Sequence, residues 1–443
     1  MTLDELKVVL RDGGVVGAGG AGFPSYAKLD ERADTIILNC AECEPLLKLH
    51  RQVLEKYAED ILSTLDLIAK TVGATSVIVA VKRSYKRTID AVTPLLGTFE
   101  NMTLCPLPEV YPAGDEVVMI YEATGRVVAP GALPISVGVT VFNVETVYNM
   151  SRLLADKALT HKYVTVAGEV KHPVTLRVPL GTPISLLLEL AGGVTVEDPA
   201  YVFGGPMMGR LGTPLEPVTK TTNAVLVLSE THTIVQKKRA KPFLDMKRAM
   251  AACCQCSYCT DLCPRHLLGH PIEPHKFMLV ASNGVTNDAT PYVNSAFCTG
   301  CGLCEMYSCM QGLSPRMLLS ACKNGLRQQG VKPPKAELSP VRPERAYRRV
   351  PMNRLLTRLG LSAYNKTAPL SEEPVVPKKL QLLLSQHIGA PSVPLVKAGD
   401  TVTAGQPIAA AAENALSVAL HAPLNGVVKS VSDKVITIEV KEG

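Results

Sequence analysis

The chain has 443 residues, with 46 Lys and Arg against 40 Asp and Glu, a formal charge of +6 and 47% hydrophobic residues. So mild a balance excludes a dominant polyanion binder, and the apolar content excludes disorder of the whole. No apolar run reaches about 18 residues, so no membrane-spanning helix is expected. The length predicts two to four domains.

In chain order, DELKVVLRD reads as a helix that ends in glycine, without the pattern of a signal peptide. GAGGAGFP follows and contains G-x-G-x-x-G through Gly17, Gly19 and Gly22. The dinucleotide-binding version of that motif follows a strand and opens a helix. Here a helix precedes it, so by itself the motif reads equally well as a flexible loop. A strand DTIILN then leads into NCAECEP (Asn39 to Pro45), followed by a helix over about 50–72, the strand SVIVAVK and a helix near 86–97. YPAGDE (Tyr111 to Glu116) opens another helix, and FNVET (Phe142 to Thr146) ends another strand. This alternation predicts an open parallel sheet whose ligand lies beyond the carboxyl ends of the strands. Glycine amides can approach a phosphate, Lys28 supplies a charge, and Asn and Glu can bond ribityl hydroxyls or flavin ring edges.

YVTVAGEVKHPVTLRVPLGTPISLLLELAGG (163–193) reads as two alternating strands, a His-Pro turn and a helix, the outline of a β-grasp unit. The loop FGGPMMG (Phe203 to Gly209) follows, its methionines expected to pack, and then a basic linker, THTIVQKKRAKP. Of thirteen cysteines, ten lie between Cys253 and Cys322. An odd count without a secretion signal argues against a disulfide framework. CCQCSYCTDLCP gives C-x2-C-x2-C-x3-C-P through Cys253, Cys256, Cys259 and Cys263, the bacterial [4Fe–4S] spacing. CTGCGLCEMYSC supplies Cys298, Cys301, Cys304 and Cys309, with a last gap of four and Met310 in place of proline. In two-cluster ferredoxins the fourth cysteine serves the other cluster. Cys253, Cys256, Cys259 and Cys309 are therefore assigned to one cluster, and Cys298, Cys301, Cys304 and Cys263 to the second. The competing readings are inert buried cysteines and zinc, against which each run supplies a complete set of its own. Cys254 and Cys322 are expected to be buried spare thiols, Cys40 and Cys43 packing or loop residues, and His266, His270 and His275 surface or loop residues.

A Pro/Arg-rich stretch, 331–378, reads as a solvated connector packed across domains, with one short amphipathic helix in NRLLTRLGL. The tail, with Gly-Asp and Asn-Gly turns between short β units, reads as a barrel-sandwich hybrid. AAAAENALSVALHAP offers no lysine for a swinging arm. The fold class is multidomain α/β and α+β. It comprises a Rossmann-like flavin domain (1–158), a β-grasp domain (159–232), a helical two-cluster ferredoxin-like domain (233–330), the connector (331–378) and the C-terminal β barrel-sandwich hybrid (379–443).

GAGGAGFPSYAK, NCAECEP, YPAGDE and FNVET together resemble the flavin- and NADH-binding subunit of respiratory complex I. They resemble more closely the C subunit of the Rnf electron-transport complex and the cobalamin reductase family of propanediol-utilization microcompartments. The resemblance implies that Gly17, Gly19, Gly20, Gly22, Lys28, Asn39, Glu42, Tyr111, Gly114, Glu116 and Asn143 hold FMN, with Phe23 and Glu44 near the nicotinamide side. Ala41 departs from the pattern, replacing an acidic residue of complex I subunits. The β-grasp unit resembles a soluble-ligand-binding domain linked to cobalamin-type ligands; a spacer role fits equally. The hybrid domain opens the chain in Rnf subunits and closes it here, the order of the microcompartment family. That family implies NADH as donor, FMN, two [4Fe–4S] clusters and cobalamin as acceptor. It also implies an adenosyltransferase and a cluster-bearing shell protein as partners, and a cytoplasmic location inside a microcompartment. A cluster pair moves single electrons and flavin converts a hydride into two of them, so no side-chain nucleophile or acid–base pair is required. Two readings stand beside it: an Rnf-type subunit passing electrons between NADH and ferredoxin or quinone, and a cluster carrier with a dead flavin site.

Overall fold

The computed structural model describes residues 1–441. Helix α1 (Leu3–Asp12) begins at Thr2, whose hydroxyl accepts from the Glu5 amide while the Glu5 carboxylate accepts from the Thr2 amide. Two otherwise free N–H groups are thereby satisfied. The glycine-rich segment follows, and then β1 (Thr35–Cys40), α2 (Leu49–Lys56), α3 (Ala58–Val72), β2 (Ser76–Lys82), α4 (Lys86–Leu96), β3 (Met102–Leu107), β4 (Val110–Tyr111), α5 (Glu116–Thr124), β5 (Val139–Asn143) and α6 (Val144–Leu154). Four strands form a parallel sheet in the order β3-β2-β1-β5. TIILNC and SVIVAVK are buried almost throughout, as parallel strands covered on both faces must be. Apolar residues of α1, α2, α3, α4 and α6 cover one face, and α5 covers the other. The helix expected over 50–72 is two. Tyr57 breaks it with φ −122° and ψ 35°, packs its ring at a tilt on Tyr148 with centroids 4.6 Å apart and gives its hydroxyl to Glu372.

In the second unit, β6 (His161–Gly168), β7 (Val174–Pro179), α7 (Ile184–Leu190), β8 (Pro199–Phe203), β9 (Arg210–Gly212) and β10 (Ala224–Ser229) build a sheet in the order β7-β6-β10-β8-β9. Ile184, Leu187 and Leu188 of α7 pack on its core. Helices Pro242–Ala252, Pro274–Ser282 and Pro315–Gln328 enclose a small core around Phe277, Leu318 and Leu319 in the cysteine-rich unit.

The connector is woven in, more than its expected solvated character implied. Residues Val350–Pro351 pair with β4, and Leu370–Ser371 extend the second sheet beside β7. Between them the helix Met352–Arg358 buries Leu355 and Leu356 in a core shared with Leu46, Val202, Met207, Leu262 and Leu303. That core joins all three preceding units. The C-terminal unit has a four-stranded and a three-stranded antiparallel sheet, and its core also takes Leu159 and Leu180. No helix among the described residues is long and apolar enough to cross a membrane.

Candidate flavin and cluster sites

The strand order reverses between β1 and β5, and the crevice beyond their carboxyl ends is where an open α/β sheet takes its ligand. Asn39 and Asn143 lie there as direct partners in the register of the two strands. Asn39 donates to Gly114 O at 3.0 Å and accepts from Ala41 N at 3.0 Å. Asn143 caps α6, accepting from Thr146 N at 2.8 Å and Thr146 Oγ1 at 2.6 Å. That hydroxyl in turn accepts from Ala18 N at 2.9 Å, which fixes the glycine loop over the start of α6. The loop closes on itself through Gly17 N to Phe23 O at 2.9 Å, so Phe23 contributes backbone here. Gly22, with φ 65°, is wedged where a Cβ would lie 2.7 Å from Thr221 Cγ2, whereas a Cβ on Gly20 would meet nothing within 4 Å. One side of the loop is thus packed and the other open, the cradle a phosphate needs. Lys28 Nζ bonds Glu116 at 3.0 Å and Val141 O at 2.9 Å, placing both at the same end of the sheet. At Gly114 a Cβ would come within 2.3 Å of Ala41 O, so only glycine fits.

Glu42 is buried and neither carboxylate oxygen has a hydrogen-bond partner. Burial pushes its pKa up; the amides of His50 and Arg51, near it but outside hydrogen-bond geometry, and the charges of Arg51 and Lys82 oppose that shift. An orphaned buried carboxyl lining a cavity with Arg51, Lys82 and Tyr85 suits a ligand that brings hydrogen-bond donors. Glu44 points elsewhere: its oxygens accept from Met207 N at 2.9 Å and Met208 N at 2.7 Å, tying NCAECEP to the FGGPMMG loop. Met207 packs inside while Met208 is exposed.

Cys253, Cys256, Cys259 and Cys309 line one cavity, with Cys254 and His275 in the same lining. Cys263 neighbours Cys298 and Cys301 of the other group. The four-residue gap is taken up by a π-helical turn, Cys304–Ser308. Such turns absorb one extra residue in a helix, and Cys309 is thereby left among the first run. Burial, with neighbouring sulfurs adding to it, pushes the Cys259 thiol up to about 12. Burial likewise pushes Cys263 up to about 11. Thiolates are the ligands, so the positive charge of bound iron has to hold them deprotonated. Donors already face the sulfurs: Gln255 Nε2 to Cys253 at 3.2 Å, Leu313 N to Cys309 at 3.3 Å and Gly300 N to Cys298 at 3.4 Å. No three His, Cys, Asp or Glu side chains among the described residues converge on a point that one metal ion could fill. A cubane, whose four irons take one thiolate each, needs a wider set.

Two expectations are corrected. Cys254 is exposed and Cys322 half-buried, so neither is a core residue. His266 and His270 are buried, bonded to Ile272 O at 3.1 Å and Val128 O at 3.0 Å, because the turn after Cys263 folds inward against the flavin unit. His275 bonds Thr260 Oγ1 at 2.8 Å. Cys40 is buried in the sheet core, and Cys43 Sγ accepts from Gly114 N at 3.2 Å.

The two sites meet. Tyr111 donates its hydroxyl to Cys301 O at 2.6 Å, and Arg265, two residues after Cys263, holds Asp115 with two bonds of 2.9 Å. Asp115, Arg265 and Thr146 escaped sequence reasoning. Only Asp115 carried a signal, as an acidic residue opening an apolar helix.

Family models match the Nuo51 FMN-binding domain over residues 10–152, an SLBB domain over 163–211, a 4Fe-4S dicluster domain over 252–314 and the RnfC barrel sandwich hybrid domain over 363–441. In Acetobacterium woodii, the C subunit of the Na(+)-translocating ferredoxin:NAD(+) oxidoreductase complex is 32% identical over 275 residues, 60% of this chain and 59% of that protein. The cobalamin reductase PduS of Citrobacter freundii is 42% identical over 438 residues, covering 97% of this chain and 95% of that protein. Its namesake from Salmonella typhimurium is 42% identical over 442 residues, covering 99% and 97%. Identity at that level along nearly the whole of both chains means that this oxidoreductase, with its FMN-binding and 4Fe–4S dicluster units, belongs to the cobalamin reductase PduS family.

Proposed function

We propose that the chain passes electrons from NADH through FMN and two [4Fe–4S] clusters to cobalamin, regenerating reduced corrinoid for adenosylcobalamin synthesis during propanediol degradation. FMN supplies the step from hydride to single electrons. Gly17, Gly19, Gly20 and Gly22 would cradle its phosphate, while Asn39, Glu42, Gly114, Glu116, Lys28 and Asn143 would hold the rest of it. The observation that carries the reading is the hydrogen bond from Tyr111, in the flavin unit, to the backbone of the ligand Cys301. It makes the cluster of Cys263, Cys298, Cys301 and Cys304 the near one. The cluster of Cys253, Cys256, Cys259 and Cys309 is then the far one, where Cys256 is exposed and the acceptor can come close. The domain limits used above, the microcompartment location and an adenosyltransferase and shell-protein partner belong to the same proposal.

The test is anaerobic reduction of cob(III)alamin by the reconstituted protein with NADH, followed by the corrinoid spectrum and compared with Cys256→Ser/Cys301→Ser. Reduction that collapses in the variant is expected. Equal rates would mean that reduced flavin acts alone and would refute the cluster path. Bleaching of the protein by NADH while cobalt stays oxidised would favour ferredoxin as the acceptor, the activity named for the Acetobacterium woodii relative.

A further inference from the structure

A cavity of about 280 Å³ lies where three units meet. Asn149 and Arg152 of α6 and Lys157 come from the flavin unit, His161 and Arg177 from the β-grasp unit, and the backbone of Gly405 from a turn of the C-terminal unit. It is not the flavin crevice. Asn143 caps the start of α6, and Arg152 is nine residues on, roughly 14 Å along the axis at ~1.5 Å per residue.

The side chains of Arg152, Lys157 and Arg177 make no ion pair or hydrogen bond among the described residues. The arginines are half-buried, and both act on His161. Two other half-buried arginines are matched, Arg265 with Asp115 and Arg316 with Glu305. Asn149 is 93% buried by its 7% exposure, lines the cavity and also has no hydrogen-bond partner among the described residues. The Asn149 carboxamide is therefore free to bond a ligand in the cavity, and like charges gathered in a half-enclosed space repel. Asp156 is the one acidic residue of the lining, leaving an excess of two positive charges from the three cations. His161 does not add to it: burial, and then Arg177 and Arg152, push it down to about 4, so it is neutral at pH 7. Two forked guanidinium groups suit planar pairs of phosphate oxygens, and a phosphate monoester carries about −1.5 to −2 at pH 7.

We propose that this cavity binds the phosphate group of a small phosphate monoester. The anion would accept from Arg152, Arg177 and Lys157, take the amide donors of Asn149, and draw the turn at Gly405 onto the other two units.

Protein holding its full complement of flavin and clusters is titrated calorimetrically with inorganic phosphate, and in parallel with sodium chloride at equal ionic strength. Saturable heat with phosphate and none with chloride is expected, with flavin content unchanged. Arg152→Gln/Arg177→Gln should raise the apparent Kd by about tenfold or more, and Asn149→Asp, which puts a negative charge in the cavity, should weaken binding in the same direction. Neither arginine makes an ion pair or side-chain hydrogen bond among the described residues, and the thermal midpoint without phosphate checks that the double variant still folds. Equal affinity in the double variant, absence of saturable heat, or phosphate that acts by releasing flavin would each overturn the proposal.

Discussion

Lys220 is buried with no acid beside it. Among the described residues its ammonium bonds only Gly14 O and Ala419 O, both at 2.8 Å, and His387 and His421 face it. Burial lowers its pKa from 10.5 to about 7. The unfolded chain therefore holds the proton more tightly between these values, and stability rises with pH across that window; below pH 7 the cost of burying the charge is carried in full. Lys220→Met should lack this rise, on the order of 2 kcal/mol between pH 7 and 9, read as the difference in thermal unfolding between variant and parent. Lys162 shows the other solution: it too is buried, yet it meets Glu145 and Asn223. Little of this was legible in the sequence. The 4Fe–4S dicluster unit was, because cysteine spacing along a short loop restricts its geometry. Glu44 was not, since its partners Met207 and Met208 lie more than a hundred residues away and amides carry no sequence label.

Local elements were legible where they repeat a period. SVIVAVK was expected as a strand and is Ser76–Lys82, and the helix near 86–97 is Lys86–Leu96. The connector was harder, because strands of two residues have no period and gain their hydrogen bonds from partners far along the chain. The opening of α5 shows how one residue links an element to its neighbours. Asp115 accepts from Val117 N and Val118 N at 3.1 Å and also receives Arg265. Asp115→Asn keeps a capping oxygen but loses the charge, and should cost about 1.5–3 kcal/mol; Asp115→Ala loses the cap as well, about 1 kcal/mol more. Anaerobic urea unfolding of the two variants measures the difference, and equal losses would mean that the cap contributes nothing.

At the scale of the whole molecule, the sequence showed which units are present but not how they are stacked. The core around Leu46, Val202, Leu303 and Leu355 draws on four stretches of chain, and each alone looks like the edge of a separate domain. The C-terminal unit is the clearest case. Its position at the end of the sequence says nothing of where it docks, which is against the beginning: Ala419 N donates to Arg11 O at 3.0 Å and Ile388 N to Ala21 O at 2.9 Å.

That docking gives the unit a seat independent of its place in the reading order. A domain whose neighbours are residues 11 to 22 can be attached through residue 1 as readily as through residue 378. The front position it takes in Rnf-type chains and the rear position here then become circular permutations of one architecture. Moving residues 379–441 ahead of Met1 on a flexible linker, and cutting the chain after Pro377, should therefore return a protein with the same flavin and iron content. Loss of flavin alone would show that the covalent join at the connector, and not the seat, holds the glycine loop in shape.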